Sequence, residues 1–213
     1  VTHSVNRGLA RAFETGLARA LELGADIIVN TDADEQYPSE SIPSLVAPLI
    51  RGEAEIAIGD RQINSRKLFS PLKRIMQRIG SAVVSTVSGV KVNDAVCGFR
   101  AYSKHAAKKT IVLSDFSYTT ETIIQAGMAK LRIVNIPIES RVDTRRSRLA
   151  KSMADFILRQ GVTIVRALFM YQPLRLFLSL SLAFFLIGLL PFLRFVYFYF
   201  LGFGDGHVQS LIM

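Results

Sequence analysis

Residues 26–38 read DIIVNTDADEQYP, and this stretch decides the fold. Asp26-Ile27-Ile28-Val29 is a short apolar run that predicts a buried strand. Asp32, Asp34 and Gln36 follow at alternate positions, just where that strand ends. In extended backbone alternate side chains point the same way, so two carboxylates and one amide share a face. Such a set is a half-shell for a hard divalent cation, Mg²⁺ or Mn²⁺, which completes its coordination with water and substrate phosphates. The competing reading is a solvated acidic turn, and the rest of the chain has to decide between them.

Upstream, residues 5–23 predict a helix with Leu9, Phe13, Leu17 and Leu21 on one stripe and Gly24 as its C-cap. Downstream, Pro38 and Ser39 open a second helix that runs to about Arg51, with Pro43 tolerated near its start. Residues 54–59 (AEIAIG) predict a second strand, closed by Asp60-Arg61. The order helix, strand, helix, strand argues for an α/β domain with parallel strands. Ligands of such sheets bind at the carboxyl ends of the strands. Asp32, Asp34, Gln36 and Arg61 all lie just past strand ends, so they can converge on one cleft. Residues 62–71 read as a basic loop with Arg66 and Lys67, and residues 72–87 as a helix carrying Lys73, Arg74 and Arg78. Residues 92–101 are a turn-and-strand segment, 104–109 a short basic helix, 118–128 a helix and 131–138 a strand.

The 213 residues carry 26 Lys and Arg against 17 Asp and Glu, a net charge of +9. That balance fits nucleic acid, anionic membrane or phosphorylated substrates. Nucleic-acid binding lacks a recognisable fold signature here. The single Cys97 excludes an internal disulfide and a cysteine-rich zinc site. Mean hydropathy is +0.31, with the excess towards the C-terminus. Arg141, Arg145, Arg146, Arg148 and Lys151 face one acid, Asp143. Residues 153–170 are apolar at helical spacing with Arg159 and Arg166 between, which suits a helix lying on a membrane surface or one packed on the domain. Residues 176–193 carry no charge and reach the length of a bilayer-spanning helix. Arg175 and the basic cluster precede that span, so the positive-inside rule puts the upstream domain in the cytoplasm. Tyr197 and Tyr199 would sit at the far interface, 202–206 would be an external loop, and residues 207–213 would begin a possible second span.

Residues 32–38, DADEQYP, closely resemble the DAD-x-Q-H-P segment of polyprenyl-phosphate glycosyltransferases, dolichol-phosphate-mannose-synthase-like members of glycosyltransferase family 2. Asn6-Arg7-Gly8-Leu9 with Gly16 resembles the segment before that loop, and Ile58-Gly59-Asp60-Arg61 resembles I-G-S-R. Residues 94–100, DAVCGFR, are similar to D-x-x-S-G-F-R, and Ile136-Pro137-Ile138 with Ser147-Arg148-Leu149 to V-P-I and S-K-L. Cys97 and Asp60 each stand where the family has serine.

The resemblance implies a GT-A fold, the Rossmann-like fold of nucleotide-diphospho-sugar transferases. It implies a partial catalytic domain over residues 1–150, a juxtamembrane amphipathic helix over 151–172 and a transmembrane helix over 174–201. The implied activity is inverting transfer of a sugar from a nucleotide diphosphate sugar to polyprenyl (dolichyl or undecaprenyl) phosphate, at the cell membrane or, in a eukaryote, the endoplasmic reticulum. Asp32, Asp34 and Gln36 would hold Mg²⁺ or Mn²⁺ and through it the donor diphosphate, with Asp34 also counted as catalytic. Arg61 would bind the acceptor phosphate, helped by Arg66 or Arg74, and Arg100 belongs to the same phosphate-binding set. Asp94 would orient the reacting groups, because an ionised phosphate acceptor needs no strong base. Arg145, Arg146 and Arg148 would contact phosphate or anionic lipid. The family's opening strand and base-gripping loop would precede Val1, so the chain is expected to be a fragment with an open sheet edge and a half-built base pocket. The alternatives are a family 2 enzyme acting on a polysaccharide or glycolipid, and a non-catalytic basic membrane-surface module.

Overall fold

The apolar stripe of the first helix forms α1 (Leu9–Glu22), which buries Ala10, Phe13 and Leu17. Gly24 turns the chain out of the helix at φ 83°, a left-handed conformation that costs glycine little. β1 (Ile27–Asn30) follows. These elements belong to a computed structural model that describes residues 1–33, 36–62, 71–113, 118–139 and 153–201. A short 3₁₀ turn (Ser39–Ser41) leads into α2 (Ile42–Ile50), with Pro43 in its first turn. Then come β2 (Ile56–Asp60), α3 (Pro71–Ser88), β3 (Arg100–Ser103), α4 (Lys104–Lys109) and α5 (Tyr118–Met128). β4 (Ile133–Pro137), α6 (Met153–Tyr171) and α7 (Pro173–Phe200) complete the described chain.

The four strands form one sheet in the order β1-β3-β2-β4. β2 and β4 are parallel, as the alternation of helix and strand predicts. β3 is not: it runs antiparallel between β1 and β2, so the expectation of an all-parallel sheet is corrected to a mixed one. The reason is where the chain enters. The Gly59 N–H donates to the Phe99 carbonyl (2.9 Å), and the Asn93 amide donates to Asp60 just past the end of β2. The segment before β3 is thus tied to the carboxyl end of β2, and from there a strand can only run back through the sheet. Asn30, the last residue of β1, consequently pairs with Arg100, the first of β3. Residues 93–99 are delivered to the strand ends where a ligand would sit.

α5 is the helix around which the domain packs: every residue from Tyr118 to Ala126 is buried. Among them the Arg100 guanidinium, 1% exposed, donates to the carbonyls of Cys97 (2.8 Å), Ala95 (2.9 Å) and Thr119 (2.7 Å) and to the Thr122 hydroxyl (2.9 Å). The expectation that Arg100 contacts substrate is therefore corrected. Its nitrogens are spent on backbone oxygens in the interior, where an unsatisfied charge would be costly.

The chain divides into two units, Val1–Ala167 and Leu168–Met213. In the first, α6 packs through a small and polar face: Thr163 and Ala167 are buried, and Gln160 accepts from the Thr120 hydroxyl (2.9 Å). Leu158, Val162 and Val165 of the same helix are exposed. The second unit contains α7, whose 28 residues are long and apolar enough to cross a membrane, with none of the apolar stretch buried.

Gly127 fixes how closely α3 and α5 approach, since a Cβ there would lie 2.0 Å from the Ser88 carbonyl oxygen. Gly127→Ala gains up to about 1 kcal/mol of helix propensity. It loses more by forcing two backbones apart, and a net destabilisation of about 1–3 kcal/mol is expected. A lowered urea midpoint checks this; an unchanged or raised midpoint contradicts it.

Candidate active site

The site is built at the carboxyl ends of β1 and β2. Asn30 closes β1, and its side-chain amide donates to the Gly98 carbonyl (2.8 Å) and to the Tyr118 hydroxyl (2.7 Å). Two residues on, the half-buried Asp32 places its carboxylate directly over Gly98. A Cβ on that glycine would lie 2.9 and 3.1 Å from the two carboxylate oxygens. The absence of a side chain at position 98 is what makes room for the acid.

Tyr37 packs on the same segment. The Tyr37 ring stacks on Phe99 at 5.2 Å, and the Cys97 thiol lies 3.7 Å from its hydroxyl. Burial pushes the Tyr37 phenol far up, and burial together with Asp94 pushes the Cys97 thiol up to about 11. Cys97 is therefore a protonated packing residue near neutral pH, with no thiolate for nucleophilic work. Burial also raises the Tyr118 phenol. Gln36 is half-buried beside Tyr37.

Arg61 and Asp94 meet across 33 residues of sequence. Nε donates to Oδ2 at 2.6 Å and Nη2 to Oδ1 at 2.9 Å, a bidentate fork. The Asp94 side chain is 2% exposed and that of Arg61 13%. Burial works against the Arg61 charge, yet the Asp94 carboxylate outweighs it and raises the guanidinium further. In this geometry Asp94 holds Arg61 through Nε and Nη2, which leaves Nη1 outside the fork. The charges of both Arg61 and Asp32 act on the Tyr37 hydroxyl, so the pair and the acid share one neighbourhood. Asp60 fixes the strand end that carries Arg61, accepting from the Gln62 N–H (2.8 Å) and from the Asn93 amide (2.9 Å).

Thr31, Asp32, Ala33, Tyr37, Glu40 and Phe99 are among the residues lining a cavity of about 430 Å³. A larger one, about 720 Å³, lies between residues 1–8 and α1 and is lined by Arg7 and Arg19 without any carboxylate. The smaller cavity is the candidate site, because Asp32, just past the end of β1, lines it; Arg61 and Asp94 are not among its lining residues. Asp34, Arg66, Arg145, Arg146 and Arg148 lie outside the described residues. Among the described residues no group of three His, Cys, Asp or Glu gathers as a metal centre. Asp32 nevertheless suits a hard cation: it is an oxygen donor, and the missing Cβ of Gly98 leaves its carboxylate a cradle.

Residues 1–111, about half of the chain, match the family model described as Glycosyl transferase family 2. The chain belongs to glycosyl transferase family 2. It is 34% identical over 148 residues to UDP-N-acetylglucosamine–dolichyl-phosphate N-acetylglucosaminyltransferase of Methanococcus voltae, covering 66% of this chain and 58% of that protein. It is 25% identical over 137 residues to the undecaprenyl-phosphate mannosyltransferase of Micrococcus luteus, covering 62% and 56%. The chain thus spans well under two thirds of each of these curated relatives. Among solved structures it is similar to glucosyl-3-phosphoglycerate synthase from Mycobacterium tuberculosis in complex with Mn²⁺ and UDP-glucose. That match has a TM-score of 0.56 and 17% identity over 79% of this chain and 56% of the other. At that identity the likeness establishes the family 2 enzyme's fold, a mixed α/β GT-A-like domain, and nothing finer.

The Arg61–Asp94 fork gives this family 2 site a direct test. Asp94→Ala strands a buried guanidinium and is expected to cost about 3–5 kcal/mol. Asp94→Asn keeps one acceptor and should cost less. Urea denaturation of the two variants checks the order, and equal stabilities would contradict the pairing.

Proposed function

We propose that this chain is the catalytic and anchoring part of a membrane-bound, metal-dependent inverting glycosyltransferase. The donor is a nucleotide diphosphate sugar and the acceptor a polyprenyl phosphate. The observation that carries the reading is the Asp32 carboxylate seated over Gly98 beside the buried Arg61–Asp94 pair. Relatives named as dolichyl- and undecaprenyl-phosphate sugar transferases support the acceptor class. The solved structure holding Mn²⁺ and UDP-glucose supports a divalent cation and a nucleotide sugar.

Asp32, with Asp34 and Gln36, would hold Mg²⁺ or Mn²⁺. When bound, that ion supplies positive charge to the diphosphate as it departs. Arg61 presents its remaining arm to a phosphate oxygen of the acceptor, and Asp94 keeps the guanidinium aimed by holding its other two nitrogens. The acceptor phosphate is already largely ionised near neutral pH, so its oxygen attacks the anomeric carbon without a strong base. One C–O bond forms as the bond to the nucleoside diphosphate breaks on the opposite face, which inverts the anomeric centre. Positioning and charge neutralisation supply the rate. Tyr37 and Phe99 wall the cavity with buried aromatic surface that excludes water from this exchange.

α7 supplies the anchor, and Arg175 with the 141–151 cluster on its N-terminal side favours a cytoplasmic catalytic unit. Arg145, Arg146 and Arg148 are well placed in sequence to meet either substrate phosphate or anionic headgroups.

The test is transfer of labelled sugar from a panel of nucleotide sugars to polyprenyl phosphate, using the chain within its complete reading frame and added Mn²⁺. Asp32→Asn is expected to reduce transfer on the order of 10²–10³-fold, the scale of one lost preorganised charge contact. Chelation should abolish it. Undiminished transfer in Asp32→Asn, or label passing to a soluble saccharide in place of the lipid phosphate, overturns the reading.

A further inference from the structure

We infer that Tyr118 is a positioning residue for the Asp32 carboxylate, acting across the bare face of Gly98. The inference rests on the proposed role of Asp32 as a metal ligand. It concerns how that ligand is aimed.

Tyr118 opens α5 and is 1% exposed. Its ring stacks on Phe13 of α1 with centroids 3.9 Å apart and planes within 4°. The ring is clamped, so the direction of its hydroxyl is set by packing. The hydroxyl accepts a hydrogen bond from the Asn30 side-chain amide at 2.7 Å. Among the described residues this is the hydroxyl's one hydrogen bond, and an acceptor still has its own proton to give.

Gly98 shows where that proton can go. A Cβ built there would lie 3.1 Å from the Tyr118 hydroxyl and 2.9 and 3.1 Å from the two Asp32 oxygens. Hydroxyl and carboxylate therefore flank the same small volume, and any side chain at position 98 would stand between them. Asn30 ties the arrangement together, since its other amide proton goes to the Gly98 carbonyl at 2.8 Å. The last residue of β1, the first residue of α5 and the turn before β3 thus meet around Asp32. A tyrosine hydroxyl on that face can donate to the carboxylate through one water, and so fix which oxygen points into the cavity. Groups that orient a metal ligand in this way typically change metal affinity by 10–100-fold when removed.

A purely structural tyrosine would have the same ring stack, so the readout must be metal affinity. Mn²⁺ is titrated into the complete protein, alone and with uridine diphosphate, and the free aquo-ion is followed by electron paramagnetic resonance. Folding is checked by circular dichroism. Tyr118→Phe keeps the stack on Phe13 and removes only the hydroxyl; its Mn²⁺ dissociation constant is expected to rise about 10-fold. Gly98→Ala, which pushes the carboxylate away from its seat, should weaken binding at least as much and decides the question if Tyr118→Phe does not fold. Asp32→Asn is the reference and should lose the site. If Asp32→Asn loses Mn²⁺ while Tyr118→Phe binds it like the wild type, the positioning role is overturned and the metal reading stands. If Asp32→Asn binds as the wild type does, the metal reading falls and this inference falls with it.

Discussion

The site depends on a guanidinium that never reaches it. Arg100 donates to the carbonyls of Ala95, Cys97 and Thr119 and to the Thr122 hydroxyl, wholly inside the domain. These bonds stitch the turn before β3 to the first turn of α5. That turn carries Asp94, which holds Arg61, and Gly98, which seats Asp32. A buried positive charge is tolerable only when its donors are satisfied. Each carbonyl that satisfies Arg100 is also a carbonyl whose position is thereby fixed. The charge thus rigidifies an irregular segment that has no ladder of its own. The groups of the candidate site inherit their geometry from an interior ion held by backbone carbonyls and a hydroxyl.

The strand-end position of Asp32 is legible in the sequence because its signal is local. An apolar run, then acids at alternate positions, places Asp32 at a strand end by period alone, and β1 ends at Asn30 as that reading requires. Pairing at a distance is not legible. Nothing in the spacing of Arg61 and Asp94 says that they form a bidentate fork, because the fork depends on which way β3 runs. The direction of β3 in turn depends on the chain entering at the carboxyl end of β2, a tertiary fact that the helix–strand alternation hides. Arg100 misleads for a related reason. In DAVCGFR an arginine that faces solvent and one that faces α5 have the same letters. Gly98 offers a finer signal: a glycine two residues before a strand often marks a close approach, and here the approaching group is Asp32.

The helix α6 shows what periodicity alone leaves open. Its apolar residues suit either a membrane surface or packing on the domain; Leu158, Val162 and Val165 are exposed while Thr163 and Ala167 are buried. The face turned to the domain is small and polar, and Gln160 is satisfied there by the Thr120 hydroxyl. An apolar face left outward, with Arg159 and Arg166 also exposed beside it, has the composition of a helix at a lipid interface. The same helix leads directly into α7, the segment long enough to cross a bilayer. Burial, which could not be read from the sequence, shows which face of α6 meets the domain and which is left outward.

Charge balance gives the last constraint on the cleft. Arg61 brings one positive charge, but Asp94 cancels it within the fork. Among the described residues lining the 430 Å³ cavity, Asp32 and Glu40 are the charged ones, and both are acidic. Such a wall repels a diphosphate. For an anionic donor and an anionic acceptor to meet there, positive charge has to arrive from outside the lining. In the proposed reaction, a divalent cation on Asp32 would reverse the local sign beside the diphosphate. The basic segments that carry most of the +9 net charge can do the same around the acceptor. The two sources would differ in kind: an ion on Asp32 would act at one point, while many basic residues act through their summed charge. A reaction that must stabilise charge on one departing oxygen needs the first, and a substrate that must be drawn to a membrane surface is served by the second.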